Sequence, residues 1–86
     1  MQVYKKWFDM IAAGIKKEEY REITDYWNHR LFNEDWTHVR FMNGYNENAP
    51  TVLVELKSIR YGVPRPEWSD GSKQRCYVIE LGKIIS

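Results

Sequence analysis

The chain has 86 residues, 13 Lys and Arg against 12 Asp and Glu, and a formal net charge of +1. That length suits one domain over residues 1–86 and leaves no room for two, and so small a charge excludes a protein held on duplex DNA by bulk electrostatics. One Cys precludes an internal disulfide, so a reducing compartment is expected, and no apolar run approaches the roughly 20 residues that span a bilayer.

Val3, Trp7 and Ile11 are spaced by four, and Met10 joins them at three. This predicts a short amphipathic helix over Val3 to Ala13. Gly14 ends it, because glycine accepts the left-handed conformation that closes a helix. Lys5 and Lys6 before Trp7 to Ala13 loosely imitate a signal peptide, but the run is short and Asp9 interrupts it. The chain is therefore read as complete and cytoplasmic.

Two readings compete for Ile15 to Ile23. As a helix, it pairs Lys16 with Glu19 and Glu18 with Arg21 at three residues. As a strand, it sets Lys17, Glu19, Arg21 and Ile23 on one face and Glu18, Tyr20 and Glu22 on the other. Propensity alone favours the helix. Thr24 or Asp25 then caps a second helix running to Leu31 or Phe32, and Asn33-Glu34-Asp35 reads as a turn.

The strand pattern is plainer further on. Trp36 to Met42 alternates, with Val39 and Phe41 inward, and Asn43-Gly44 signals a turn. Thr51 to Tyr61 sets Val52, Val54 and Leu56 on one face. Ile59 falls on the other, so a bulge near Lys57–Ser58 is expected to return it inward. Pro64 and Pro66 make Gly62 to Arg75 a long loop. Cys76 to Ile85 closes the chain as a strand with Tyr77, Ile79 and Leu81 on one face. Read with Ile15 to Ile23 as a strand, the order helix, strand, helix and three further strands predicts an α+β fold, a small curled antiparallel roll with two short helices. An exposed edge strand leaves the choice between monomer and weak dimer open.

His29, His38 and Cys76 share no ligand spacing, so no metal is expected. The glycines form no phosphate-binding loop, and no cofactor is implied. Cys76 opens an apolar strand, where a free thiol behaves as a small hydrophobe. Trp7, Phe8, Trp27, Trp36 and Phe41 are assigned to the core. Trp68, set among Pro, Glu, Ser and Asp, is not.

Gly14-Ile15-Lys16-Lys17-Glu18-Glu19-Tyr20-Arg21 matches G-x-K-x-x-E-x-R and resembles the signature of the ASCH domain family, a branch of the PUA-like β-barrels. Trp7 to Ile11 resembles the helix that leads into that motif. Tyr26-Trp27 through Leu31, Phe41 to Tyr45 and Tyr77 to Leu81 are similar to small phage and prophage members. The resemblance covers nearly the whole chain. It implies that Lys17 to Ile23 is a strand and that Lys16, Glu19 and Arg21 border a cleft.

Lys and Arg are good phosphate donors, Arg bidentately, and aromatic rings stack on splayed bases. Tyr20, Tyr45 and Trp68 are candidates for stacking, with Arg40 and Asn43 as further cleft candidates. Taken without the resemblance, Lys16, Glu19 and Arg21 read as a solvated ion-pair cluster, Arg40 as a solvated strand residue and Asn43 as a turn residue.

Three functions follow. The first is a noncatalytic module for single-stranded RNA or a nucleotide-like ligand. The second is a small hydrolase, a ribonuclease or an amidohydrolase of a modified nucleoside, that uses Lys16. The amidohydrolase form needs a threonine three residues beyond that lysine, and Glu19 stands there instead. The third is a phage-encoded protein that binds a host protein through Arg65, Trp68 and Arg75 of the long loop.

Overall fold

The computed structural model describes residues 1–33 and 35–86. Its elements are β1 (Gln2–Val3), α1 (Lys5–Ala12), β2 (Glu18–Arg21), α2 (Asp25–Phe32), β3 (His38–Asn43), β4 (Thr51–Gly62), a 3-10 turn (Pro66–Trp68) and β5 (Cys76–Ile84). The five strands form one curled, half-barrel sheet in the order β1-β3-β4-β5-β2. The fold is α+β with two short helices. No helix among the described residues is long and apolar enough to cross a membrane.

α1 begins at Lys5 and not at Val3, because Gln2 and Val3 pair in parallel with Met42 and Asn43 of β3. Two residues carry no readable alternation, so only the tertiary partner reveals this strand. The helix ends as its sequence requires. Ile15 N–H donates to the Met10 carbonyl at 2.9 Å and Gly14 N–H to that of Ile11 at 3.0 Å, with Gly14 at φ 76°. These are the two bonds of a Schellman closure. They turn the chain straight from α1 into β2, and the segment is a strand despite its helix-forming composition. Pairing with β5 over four residues outweighs a propensity difference of a few tenths of a kcal/mol per residue.

Thr24 caps α2, its hydroxyl oxygen accepting from Trp27 N–H at 3.2 Å. Within the turn read at Asn33-Glu34-Asp35, Glu34 lies outside the described residues. Trp36 does not join β3 or the core. It is 48% exposed, and its indole N–H donates to the Arg30 carbonyl. β4 pairs β5 with register shifts on either side of Leu56. Two residues of β4, Leu56 to Ser58, oppose one step of β5, Leu81 to Glu80. That is the bulge expected near Lys57, and Ile59 accordingly packs against the core.

Phe8 and Ile11 of α1 and Leu31 of α2 cover Phe41, Val52, Val54, Tyr77, Ile79 and Leu81 of the sheet. Each such side chain contributes roughly 1.5–3 kcal/mol by leaving water. β5 is buried on its second face too, at Cys76 and Val78. Val78 there lies in register between Tyr20 and Arg60.

Candidate functional site

The curl of the sheet brings its two edge strands, β1 and β2, toward each other without a ladder between them. Leu81 N–H donates to the Lys17 carbonyl, and Glu19 and Arg21 lie opposite Ile79 and Tyr77. Hydrogen-bonded pairs alternate along an antiparallel ladder, so the main-chain groups of Glu18 and Tyr20 face the open edge. On β1 the carbonyls of Met1 and Val3 accept from Met42 and Gly44, which leaves the Gln2 carbonyl on its open edge. A seam of unpaired main-chain groups in so small a sheet needs other partners.

The motif side chains supply them. Lys16 Nζ donates to the Glu18 carbonyl and, at 3.0 Å, to Glu19 Oε1. Arg21 Nη2 donates to Glu19 Oε2 at 2.7 Å and to the Gln2 carbonyl at 2.9 Å. Glu19 is thus clamped between two cations, each of which also holds one bank of the seam. Lys16 is only 2% exposed. Its ammonium lies 5.5 Å from the Trp7 ring centroid and 4.9 Å from that of Tyr20. Burial pushes its pKa below the usual lysine range, against the opposing pull of the Glu19 charge and hydrogen bond. The Arg21 guanidinium stacks 4.8 Å from the Trp27 ring centroid. Its Nε is buried without a hydrogen-bond partner among the described residues.

Above this clasp opens a cleft of about 800 Å³. Its floor is Glu19, Tyr20 and Arg21, and one wall is Trp7 with Gln2 to Lys5. Asn43, Gly44 and Tyr45 also line it, as do Trp68, Asp70 and Arg75 from the loop after β4. Gly44 holds φ 93° at the end of β3, a left-handed value that lets the chain turn there beneath Val3.

Six of the eight side chains singled out from the sequence therefore meet at one cleft: Glu19, Tyr20, Arg21, Asn43, Tyr45 and Trp68. Lys16 lies beneath the floor and does not line it. Arg40 stands apart on the exposed side of β3, bonded to Thr51 at 3.3 Å. Trp7, assigned to the core by its spacing, packs against it but is only half-buried, and it also lines the cleft. No local signal distinguishes it, since its open side depends on where β2 turns back. Lys5 and Gln2 were also missed, because their part in the cleft follows from the unforeseen β1.

The charges are nearly balanced. Lys5, Arg21 and Arg75 line the cleft together with Glu19, Glu22 and Asp70, and Lys16 beneath adds a fourth positive charge. The arrangement can hold an anion of low charge beside Arg21 and offers the rings of Trp7, Tyr45 and Trp68 as stacking surfaces. It offers poor nucleophiles. The Cys76 thiol is pushed up by burial and by the Glu18 charge. The Tyr20 phenol is pushed far up by burial and the neighbouring Glu18 carboxylate, despite the hydrogen bond donated by the Arg65 main-chain N–H. No three His, Cys, Asp or Glu side chains group as a metal site among the described residues. No family model matches the chain, and neither a curated protein nor a solved structure is significantly similar to it.

Proposed function

We propose that this chain is a cytoplasmic, PUA-like module of the ASCH type that binds single-stranded RNA or a nucleotide-like ligand in the seam cleft without transforming it. The observation that carries the reading is the convergence of Arg21, Asn43, Tyr45 and Trp68, drawn from three separate segments, on one hollow with a surplus positive charge beneath it. A base stacks on a ring of the cleft at roughly 1–3 kcal/mol per base, and the Arg21 guanidinium takes one phosphate. The acids Glu22 and Asp70 oppose a longer run of phosphates, so the ligand is one or two unstacked nucleotides and not a duplex.

Titration of isotopically labelled protein with oligouridylate and oligoadenylate of about eight nucleotides tests this. Amide shifts are expected at Glu19 to Arg21, Asn43 to Tyr45 and Trp68, with the RNA recovered intact. The affinity should fall with salt at a slope of about −0.7 to −1.4, the value for one or two phosphates on a single strand. Absence of shifts with either oligonucleotide overturns the reading.

The hydrolase reading has one observation in its favour, the lowered pKa of Lys16. Its side chain is nonetheless 1% exposed and already donates to Glu19 and the Glu18 carbonyl. Cleavage of the same oligonucleotides, lost in Lys16→Ala, would replace the binding reading with this one.

A further inference from the structure

The loop between β4 and β5 forms a whole wall of the cleft, yet it is barely attached to the sheet. Among the described residues, one hydrogen bond and one ion pair join residues 63–75 to the strands, both made by Arg65, and at the far end of the loop the Arg75 guanidinium lies 5.8 Å from the Tyr61 ring centroid of β4. Its main-chain N–H donates to the Tyr20 hydroxyl oxygen at 3.1 Å, and its Nε lies 3.8 Å from Glu18 Oε1. The loop's other hydrogen bonds are internal. Trp68 N–H and the Ser69 hydroxyl both donate to the Arg65 carbonyl, at 3.1 and 2.8 Å. The Arg65 guanidinium lies 5.4 Å from the Trp68 ring centroid. Trp68 is therefore set by Arg65, and Arg65 by Tyr20.

Tyr20 can accept from Arg65 because its own proton is committed elsewhere. Its hydroxyl donates to Glu18 Oε1 at 2.7 Å, which turns an oxygen lone pair toward the loop. Glu18 Oε2 accepts from Arg60 Nη2 of β4 at 2.9 Å, which holds the carboxylate in place. Glu18 does not line the cleft. We propose that Glu18 is a positioning residue for the cleft: acting through the Tyr20 hydroxyl and the Arg65 amide, it seats the wall that carries Trp68. The seating stands on these contacts alone, and only its consequence for affinity rests on the binding role given above.

Amide hydrogen exchange on the whole chain tests it without a ligand. In Tyr20→Phe and in Glu18→Leu, exchange at Trp68 and Ser69 should rise about five- to tenfold, the effect of one lost hydrogen bond to a charged or polar partner. Exchange at Val54 and Ile79 in the core should stay as it was. Glu18→Gln keeps an acceptor for the Tyr20 hydroxyl and should fall between Glu18→Leu and the unchanged protein. Adding Glu18→Leu to Tyr20→Phe should raise loop exchange further only by the share of the Glu18–Arg65 ion pair, which is small for an exposed guanidinium at 3.8 Å.

Unchanged exchange at Trp68 and Ser69 in a folded Tyr20→Phe variant overturns the proposal, as does a rise shared equally by Val54 and Ile79. Oligouridylate then reads the consequence: Glu18→Leu should weaken its binding severalfold. If loop exchange rises as expected while the unchanged protein binds neither oligonucleotide, the seating of the wall stands and the binding reading fails.

Discussion

Glu19 holds two cations in place, so the members of the clasp are not equivalent. Glu19→Gln leaves Lys16 and Arg21 without the carboxylate that lies between them, and Lys16 is almost wholly buried. The expected cost is about 3–5 kcal/mol. Lys16→Met leaves the Glu19–Arg21 pair intact and removes a buried ammonium, so its cost should be clearly smaller. Urea denaturation of both variants measures the difference, and equal losses would refute the clasp. Glu18 offers a test by pH. Burial pushes its carboxyl up, but the hydrogen bonds from Tyr20 and Arg60 and the charges of Arg60 and Arg65 hold it below the ordinary value of 4.5. A carboxylate depressed by folding stabilises the protein above the pKa of its unfolded form, and that gain disappears as the pH falls through the folded value. Glu18→Gln should thus be the less stable protein at neutral pH, and the gap should close below about pH 4.5. Thermal melts at several pH values show whether it does.

Two short stretches of chain decide how the helices meet the sheet. The Schellman closure at Gly14 puts Lys16 under the Trp7 ring within two residues of the turn. A Cβ on Gly14 would sit 3.7 Å from Ile84 Cδ1, an ordinary contact, so the obstacle is the positive φ alone. Gly14→Ala is expected to cost roughly 1–2 kcal/mol and to loosen Lys16. Thr24→Ala should cost about 1 kcal/mol through the lost cap, and Thr24→Ser little. Denaturation midpoints for the three variants check the order. These signals are local, and they were readable: Gly14, the Thr24 cap, Asn43-Gly44 and the bulge that rescues Ile59 all lie where residue type and period place them. Ile15 to Ile23 was not readable from propensity, because six of its residues are good helix formers while β5, some sixty residues away, is what makes Glu18–Arg21 a strand.

The half-barrel stays closed at its seam through side chains in place of a ladder. Arg21 carries the only side-chain bond to β1 from β2 among the described residues, at the Gln2 carbonyl. Arg21→Met should free β1. Amide exchange should rise at Met42 and Gly44, which donate to Met1 and Val3, and stay slow at Ile79. The same variant should lose most of its affinity for oligonucleotides, since the seam and the cleft share this guanidinium. Protection at Met42 and Gly44 equal to that of the unchanged protein would show that the seam is held by packing alone.

Residue order alone was enough to specify an α+β chain with two short helices, three later strands with a bulge in the longest, and a long loop before the last. Period, caps and turn residues act over a few positions, and such information survives in a linear string. The pairing of Gln2–Val3 with β3, the seam that gives Lys16 and Arg21 their partners, the exposed side of Trp7 and the Glu18–Tyr20–Arg65 contact came from the folded chain. Each joins segments far apart in sequence, and their energies depend on how the sheet curls, which no short window of residues encodes.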